Sequence, residues 1–273
     1  MTGKVLLTGG AGFIGSHCYV ALVEAGFDPV ILDNFQNARR DLPGRLEQIT
    51  GRPTPVIEAD IRDSIAVQKA MDGGRFDAVV HFAALKSVPG SEADPVGYYD
   101  VNVGGLVNVV RAMQAHGVSR MVFSSSAAVY GEAEVMPVTE DSPVRPQNVY
   151  ARTKLVGEDW PTPDGPAIRD YLPVEDLAEG HVLSLERLMR SGADGGHLVN
   201  LGTGQGHTVR EVLDCYGRVS GQPIRAEIAP RRAGDAAISY ADTGRAEALL
   251  GFRATRDLAQ MCASNWDFMR AKA

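Results

Sequence analysis

The chain has 273 residues, 27 basic and 34 acidic, for a formal charge of −7, with 44% hydrophobic and 22% charged residues. That balance excludes a disordered chain, and it excludes a general nucleic-acid binder, which would show a basic field. The length suits two domains, or one large α/β domain with a smaller lobe, whose core needs no metal or disulfide.

In chain order, apolar runs at Val5 to Thr8, Pro29 to Asp33, Pro55 to Glu58, Ala78 to Phe82 and Arg120 to Ser124 predict strands. Between them, the windows Ile14 to Ala25, Ser64 to Met71 and Pro95 to His116 place apolar residues at three- and four-residue spacing, which predicts helices leaning one face on a sheet. The alternation predicts an α/β fold with a Rossmann-like, doubly wound parallel sheet. A further helix starts at Tyr150 and is expected to end at Trp160-Pro-Thr-Pro-Asp-Gly-Pro166, because three prolines and a glycine cannot sit inside a helix. The boundary is placed there: a dinucleotide-binding domain over residues 1–160 and a smaller, shortened α/β substrate lobe over 161–273. In the lobe, strands are expected near Arg169 to Leu172 and His197 to Leu201. Helices are expected near Val174 to Arg190, Thr208 to Val219 and Leu258 to Met269.

Cys18, Cys215 and Cys262 are odd in number and widely spaced, so reduced, buried thiols are expected rather than a disulfide framework or a zinc site. The first strand begins at once, which leaves no signal-peptide core, and no apolar stretch reaches membrane-spanning length. The expectation is a cytoplasmic protein with no membrane, nucleic-acid or metal partner.

Gly9-x-x-Gly12-x-x-Gly15 lies between the first strand and a helix, where a backbone without side chains can approach a pyrophosphate at the helix N-terminus. Asp33, at the end of the second strand, is placed to accept bonds from a ribose 2′-hydroxyl and to repel a 2′-phosphate, which favours NAD over NADP. Arg39 and Arg40 weigh the other way, since arginines there can accommodate that phosphate. Asp60 and Ile61, closing the third strand, suit an adenine contact or a helix cap.

Tyr150 and Lys154 stand four residues apart, on one face of a helix. An ammonium beside a phenol favours the phenolate and makes the tyrosine a usable base. Ser124, Ser125 and Ser126 end the fifth strand at the edge where open α/β sheets hold ligands, and Ser126 is the one taken to bond a substrate oxygen.

Together these residues resemble the extended short-chain dehydrogenase/reductase family. The stretches His81 to Val88, Tyr98 to Val103, Phe123 to Gly131, Arg169 to Tyr171, Asp176 to His181 and Ala229 to Asp235 are similar to its UDP-glucose 4-epimerase branch. The resemblance implies NAD as a tightly held cofactor, UDP-glucose and UDP-galactose as substrates, and a homodimer as the form of the family. It implies catalytic roles for Tyr150, Lys154 and Ser126, with Tyr150 taking the proton of the sugar 4-hydroxyl. Phe13, Ile14, Asp33, Asn34, Asp60, Ile61, Phe82, Ala83, Ala84, Lys86 and Asn102 match cofactor positions, beside Gly9, Gly12 and Gly15. Arg169 and Arg232 match the diphosphate clamps, with Lys86 and Asp235 also on the substrate side. Ala127 and Ala128 fill the positions where dehydratase relatives carry an acidic pair.

One part of the family pattern is missing. Tyr150 and Arg169 are only 19 positions apart, so several tens of residues are absent, among them the next strand of the sheet. Two readings follow: an active epimerase in which a partner chain or a compact bypass replaces the shortened region, or a non-catalytic NAD-binding protein. NAD binding is expected in both, and the shortened region weighs against full turnover.

Overall fold

The computed structural model describes residues 3–158, 171–190, 196–224 and 239–270. Strands β1 (Lys4–Thr8), β2 (Asp28–Asp33), β3 (Val56–Glu58), β4 (Ala78–His81) and β5 (Met121–Phe123) form a five-stranded sheet in the order β3-β2-β1-β4-β5. All neighbours run parallel, with Leu7 of β1 in register with Ile31 and Val80. The order reverses between β1 and β4, which opens a crevice at their carboxyl ends.

The strands are apolar on both sides because both faces are covered. Leu6, Val79, Met121 and Phe123 meet α3 (Ser64–Asp72) and α6 (Gly105–Ala115) on one face. Val5, Leu7, Val80 and Val122 meet α1 (Phe13–Glu24) and α8 (Val174–Arg190) on the other. Thus α8, which follows the proline-rich segment, packs on α1 and reaches β4 and β5. Among the described residues β5 pairs with β4 alone and forms the sheet edge.

The other helices are α2 (Leu42–Thr50), α4 (Val88–Ala93), α5 (Pro95–Tyr99), α7 (Val149–Glu158), α9 (Val209–Ser220), α10 (Gly244–Leu250) and α11 (Leu258–Arg270). Two of these carry little periodic signal. α2 buries Leu46 alone and has proline in its first turn, and α10 buries Ala246 alone. The single helix expected over Pro95 to His116 is interrupted by a π-helical turn, Asp100–Gly104, inside which Asn102 is buried. α6 then starts at Gly105, where a Cβ would lie 2.4 Å from Ile61 Cδ1, so the helix comes closer to the third strand's end than another residue allows.

The strand expected over His197 to Leu201 is not formed. Leu198 makes an isolated bridge, and neighbouring Asn200 spends its polar groups elsewhere: its N–H donates to Glu140 Oε1 (2.6 Å), its Nδ2 to Val138 O (3.2 Å), and its Oδ1 accepts from Tyr130 Oη (3.0 Å). Of the strand expected over Arg169 to Leu172, Arg169 and Asp170 lie outside the described residues, and Tyr171 and Leu172 are not part of one. The three cysteines are free and buried. No helix among the described residues is long and apolar enough to cross a membrane, and none of their side chains form a metal-binding cluster.

Candidate active site

The crevice has a volume of about 550 Å³ and runs from the glycine loop to α7. The loop is built for close approach. Gly9 has φ +70°, and a Cβ there would stand 2.6 Å from Ala83 N. A Cβ on Gly15 would stand 2.4 Å from Gly9 O, so this glycine lets α1 fold back tightly on the loop. Gly12 caps α1 with extended backbone and no side-chain bond, and Gly12, Phe13, Ile14 and Gly15 all line the cavity. A helix start without a capping side chain, at a floor of glycines, is suited to a diphosphate.

Asp33 lines the same cavity, its Oδ2 accepting from Ala11 N (3.0 Å) and its Oδ1 from Phe35 N (2.9 Å). Burial raises its pKa, and the two backbone donors oppose that rise. Its partners leave further lone pairs for a ribose hydroxyl. Arg39 is engaged with Asp41 and Arg40 with Glu58, and neither lines the cavity, so the phosphate-accommodating alternative has no arginine in place. Asn34 donates from Nδ2 to Asp60 Oδ2 (2.9 Å), and Arg62 also holds Asp60, driving its pKa well down. Asp60 therefore stays charged at the cavity wall, while Asp63 caps α3. Phe82, Ala83, Ala84 and Lys86 complete the wall opposite.

Tyr150 and Lys154 of α7 line the far end of this cavity together with Ser124 and Ser125. Lys154 is buried, and its Nζ donates to Ser124 O (2.7 Å) and lies 4.9 Å from the Phe123 ring centroid. Burial lowers its pKa to about 8, with the charge of Glu158 opposing. Ser126 sits outside the lining: its Oγ accepts from Ala128 N (3.3 Å) at the start of the 3₁₀ turn Ala127–Tyr130. Arg169, Arg232 and Asp235 lie outside the described residues.

Residues 5–163 match the NAD dependent epimerase/dehydratase family. The chain belongs to that family. It is 36% identical over 326 residues of alignment to UDP-glucose 4-epimerase of Bacillus subtilis, covering 96% of this chain and 95% of the relative, and 37% identical to that of Neisseria meningitidis serogroup C, covering 96% of each. The structure is similar to UDP-glucose 4-epimerase from Stenotrophomonas maltophila, solved with bound NAD and formylated UDP-arabinopyranose (TM-score 0.92, 33% identity, 99% of this chain and 98% of that one). It is also similar to the enzyme from Bifidobacterium longum in complex with NAD+ and UDP (TM-score 0.89, 31% identity, 98% and 99%).

Within this epimerase/dehydratase fold, Asn102 does not line the cavity. Its Oδ1 accepts from Leu85 N (2.8 Å), and its Nδ2 donates to Leu85 O (2.9 Å) and to Thr153 Oγ1 (2.9 Å). Thr153 in turn donates to Tyr150 O (2.7 Å). One buried amide thus joins the β4 loop to the turn of α7 that carries Tyr150. Sequence reasoning missed Thr153 and also Glu158, whose carboxylate accepts from Ser125 Oγ. The four-residue step from Lys154 to Glu158 was the available signal. It passed over Leu85, Ser87, Tyr98 and Val101 too, which line the cavity with little chemical signature of their own.

Proposed function

We propose that this protein is an NAD-dependent UDP-glucose 4-epimerase that interconverts UDP-glucose and UDP-galactose. The observation that carries the reading is the continuity of one cavity, in which the glycine cradle and Asp33 stand at one end and Tyr150 and Lys154 at the other. NAD, when bound, supplies a reversible hydride acceptor at its nicotinamide. The glycine loop and the start of α1 hold the diphosphate of such a ligand, and Asp33 holds its adenosine ribose. Tyr150 takes the proton from the sugar 4-hydroxyl as C4 loses its hydride to the acceptor that bound NAD would supply, and returns it when the turned sugar takes that hydride back on its other face. Lys154 keeps the Tyr150 phenolate accessible. Ser126 and Lys86 bond the sugar side, Arg169 and Arg232 hold the diphosphate, and Asp235 stands on the substrate side with them. The reading divides the chain into a cofactor domain, 1–160, and a sugar-nucleotide lobe, 161–273, whose α8 folds back to cover the cofactor domain's sheet, in a cytoplasmic protein.

The alignment to the Bacillus relative extends over 326 residues although this chain has 273. That supports an internal shortening after α7, in keeping with β5 as the sheet edge among the described residues. The family fold is retained around it. Homodimerisation belongs to the same reading, with Val96 and Tyr99 of α5 and Val156 of α7 exposed on neighbouring helices.

A coupled assay with UDP-galactose tests the function. Turnover that falls about a thousandfold in Tyr150→Phe, with cofactor content unchanged, is the expected result. NAD uptake without Tyr150-dependent turnover would select the non-catalytic binding reading instead.

A further inference from the structure

Lys154 is the charged group on which the proposed proton transfer depends, and it is buried. An ammonium removed from water reverts toward its neutral form unless a negative charge compensates. Ser124 O, which accepts from its Nζ, and the Phe123 ring below it are neutral. A carboxylate stands one helical turn further on, at Glu158, where it accepts a hydrogen bond from Ser125 Oγ. Ser124 and Ser125 follow β5 directly, so α7 is fastened to the end of that strand at two adjacent points.

We infer that Glu158 is a positioning residue of the epimerase site: held by Ser125, its carboxylate keeps the Lys154 ammonium charged beside Tyr150 and fixes α7 against the end of β5. The consequence for turnover rests on the epimerase reading, whereas the geometry does not. Among the described residues, the surroundings leave Glu158 this role. From β4, His81 faces Lys154, and burial holds it neutral with a pKa of about 3. From the 3₁₀ turn, Tyr130 faces Glu158 with its pKa pushed up, chiefly by burial, and beyond it stand Glu140 and Arg245. Glu92 of α4 meets α7 at the opposite end, accepting from Val149 N (2.9 Å). The pKa of Lys154, lowered by burial, is opposed by Glu158.

The chain has five lysines, so the Cε resonances of carbon-labelled lysine are few enough to assign, that of Lys154 by its loss in Lys154→Met. Glu158→Gln keeps the size and an acceptor for Ser125 but removes the charge. The expected result is that Lys154 titrates about one unit lower in Glu158→Gln and recovers most of that shift in Glu158→Asp. In parallel, the alkaline limb of the kcat profile moves to lower pH by a similar amount, costing up to about tenfold in kcat above pH 8, with KM little changed. Ser125→Ala lowers kcat on its own and adds little to Glu158→Gln, since both act through one clamp. An unaltered Lys154 titration in Glu158→Gln overturns the inference, as does a kcat loss that is the same at every pH. The resonance titration is read whether or not the protein turns over, so a Lys154 shift in a protein without Tyr150-dependent activity would keep the clamp and remove the epimerase reading.

Discussion

The sheet half of the molecule and its C-terminal helices are held by different forces. Around the sheet, two apolar clusters run through every strand, and Val5, Leu6, Leu7, Val79, Val80, Met121 and Val122 are almost fully buried. In the C-terminal part the cluster is small, built on Val199, Leu201, Ala246 and Phe252, and polar tethers reach back to the rest. Asp176 of α8, fully buried, accepts from Thr255 and from the backbone and guanidinium of Arg256, which also reaches Glu179. Glu175 accepts from Ser264, and Arg245 meets Glu140 and Asp141. Apolar burial is non-directional and tolerates small shifts, whereas tethers fix an orientation and fail when one partner goes. The cofactor cradle therefore rests on the cooperative part, and the side expected to hold the sugar nucleotide rests on the part held by specific bonds.

Four measurements would sharpen or break that contrast. Leu7→Ala, at the centre of the sheet, is expected to cost about 4 kcal/mol and to lower cofactor affinity and overall unfolding together. Denaturant unfolding read by two probes checks this, and separate transitions would refute it. Asp176→Ala is expected to cost roughly 3 kcal/mol by leaving buried donors without an acceptor. Here limited proteolysis should cut the C-terminal helices first while NAD binding persists, and simultaneous loss of both would show the halves to be one cooperative unit.

Acid should act mainly on the sheet half. His81 bonds Thr8 Oγ1 through Nδ1 (2.7 Å), and His181 bonds Leu177 O through its Nδ1 (2.8 Å) and packs on Phe82 with ring centroids 4.7 Å apart. Burial depresses their pKa values to about 3 and about 4 from an ordinary 6.5. The unfolded chain therefore takes up these protons first: the stability they confer is complete above about pH 6.5 and is lost as pH falls toward the folded values. At about pH 5 each should cost on the order of 2 kcal/mol. Thermal unfolding between pH 7 and pH 5 reads this, and the slope should fall in His181→Gln. Smallest is Arg245→Ala, whose partners are Glu140, almost fully buried, and exposed Asp141. About 1 kcal/mol is expected, confined to C-terminal docking, and an equal loss of cofactor affinity would contradict that confinement.

Much of the cradle was readable before any coordinates. Gly9, Gly12, Gly15 and Asp33 are legible because a strand, a glycine turn and a helix follow one another locally, and chain-local geometry leaves a pattern. Tyr150 and Lys154 are legible for the same reason, through the four-residue helical step. Asn102, expected at a cofactor position, instead joins Leu85 to Thr153 behind the cavity wall, and a bond across 51 positions has no spacing to read. The expected strand at His197 to Leu201 failed similarly: Val199 and Leu201 are buried but Leu198 is exposed, and Asn200 finds Tyr130, Val138 and Glu140 as partners in place of a neighbouring strand.

By itself, the amino-acid order determined the parallel sheet, the glycine cradle and the Tyr150/Lys154 pair, since periodicity and turn chemistry are properties of neighbouring residues. Tertiary structure alone decided that Asp33 and Lys154 open onto one cavity, that Ser125 grips Glu158, and that α8 returns from beyond the proline-rich segment to cover β4 and β5. Those depend on which distant surfaces exclude water together, and local sequence does not encode that choice in any one window.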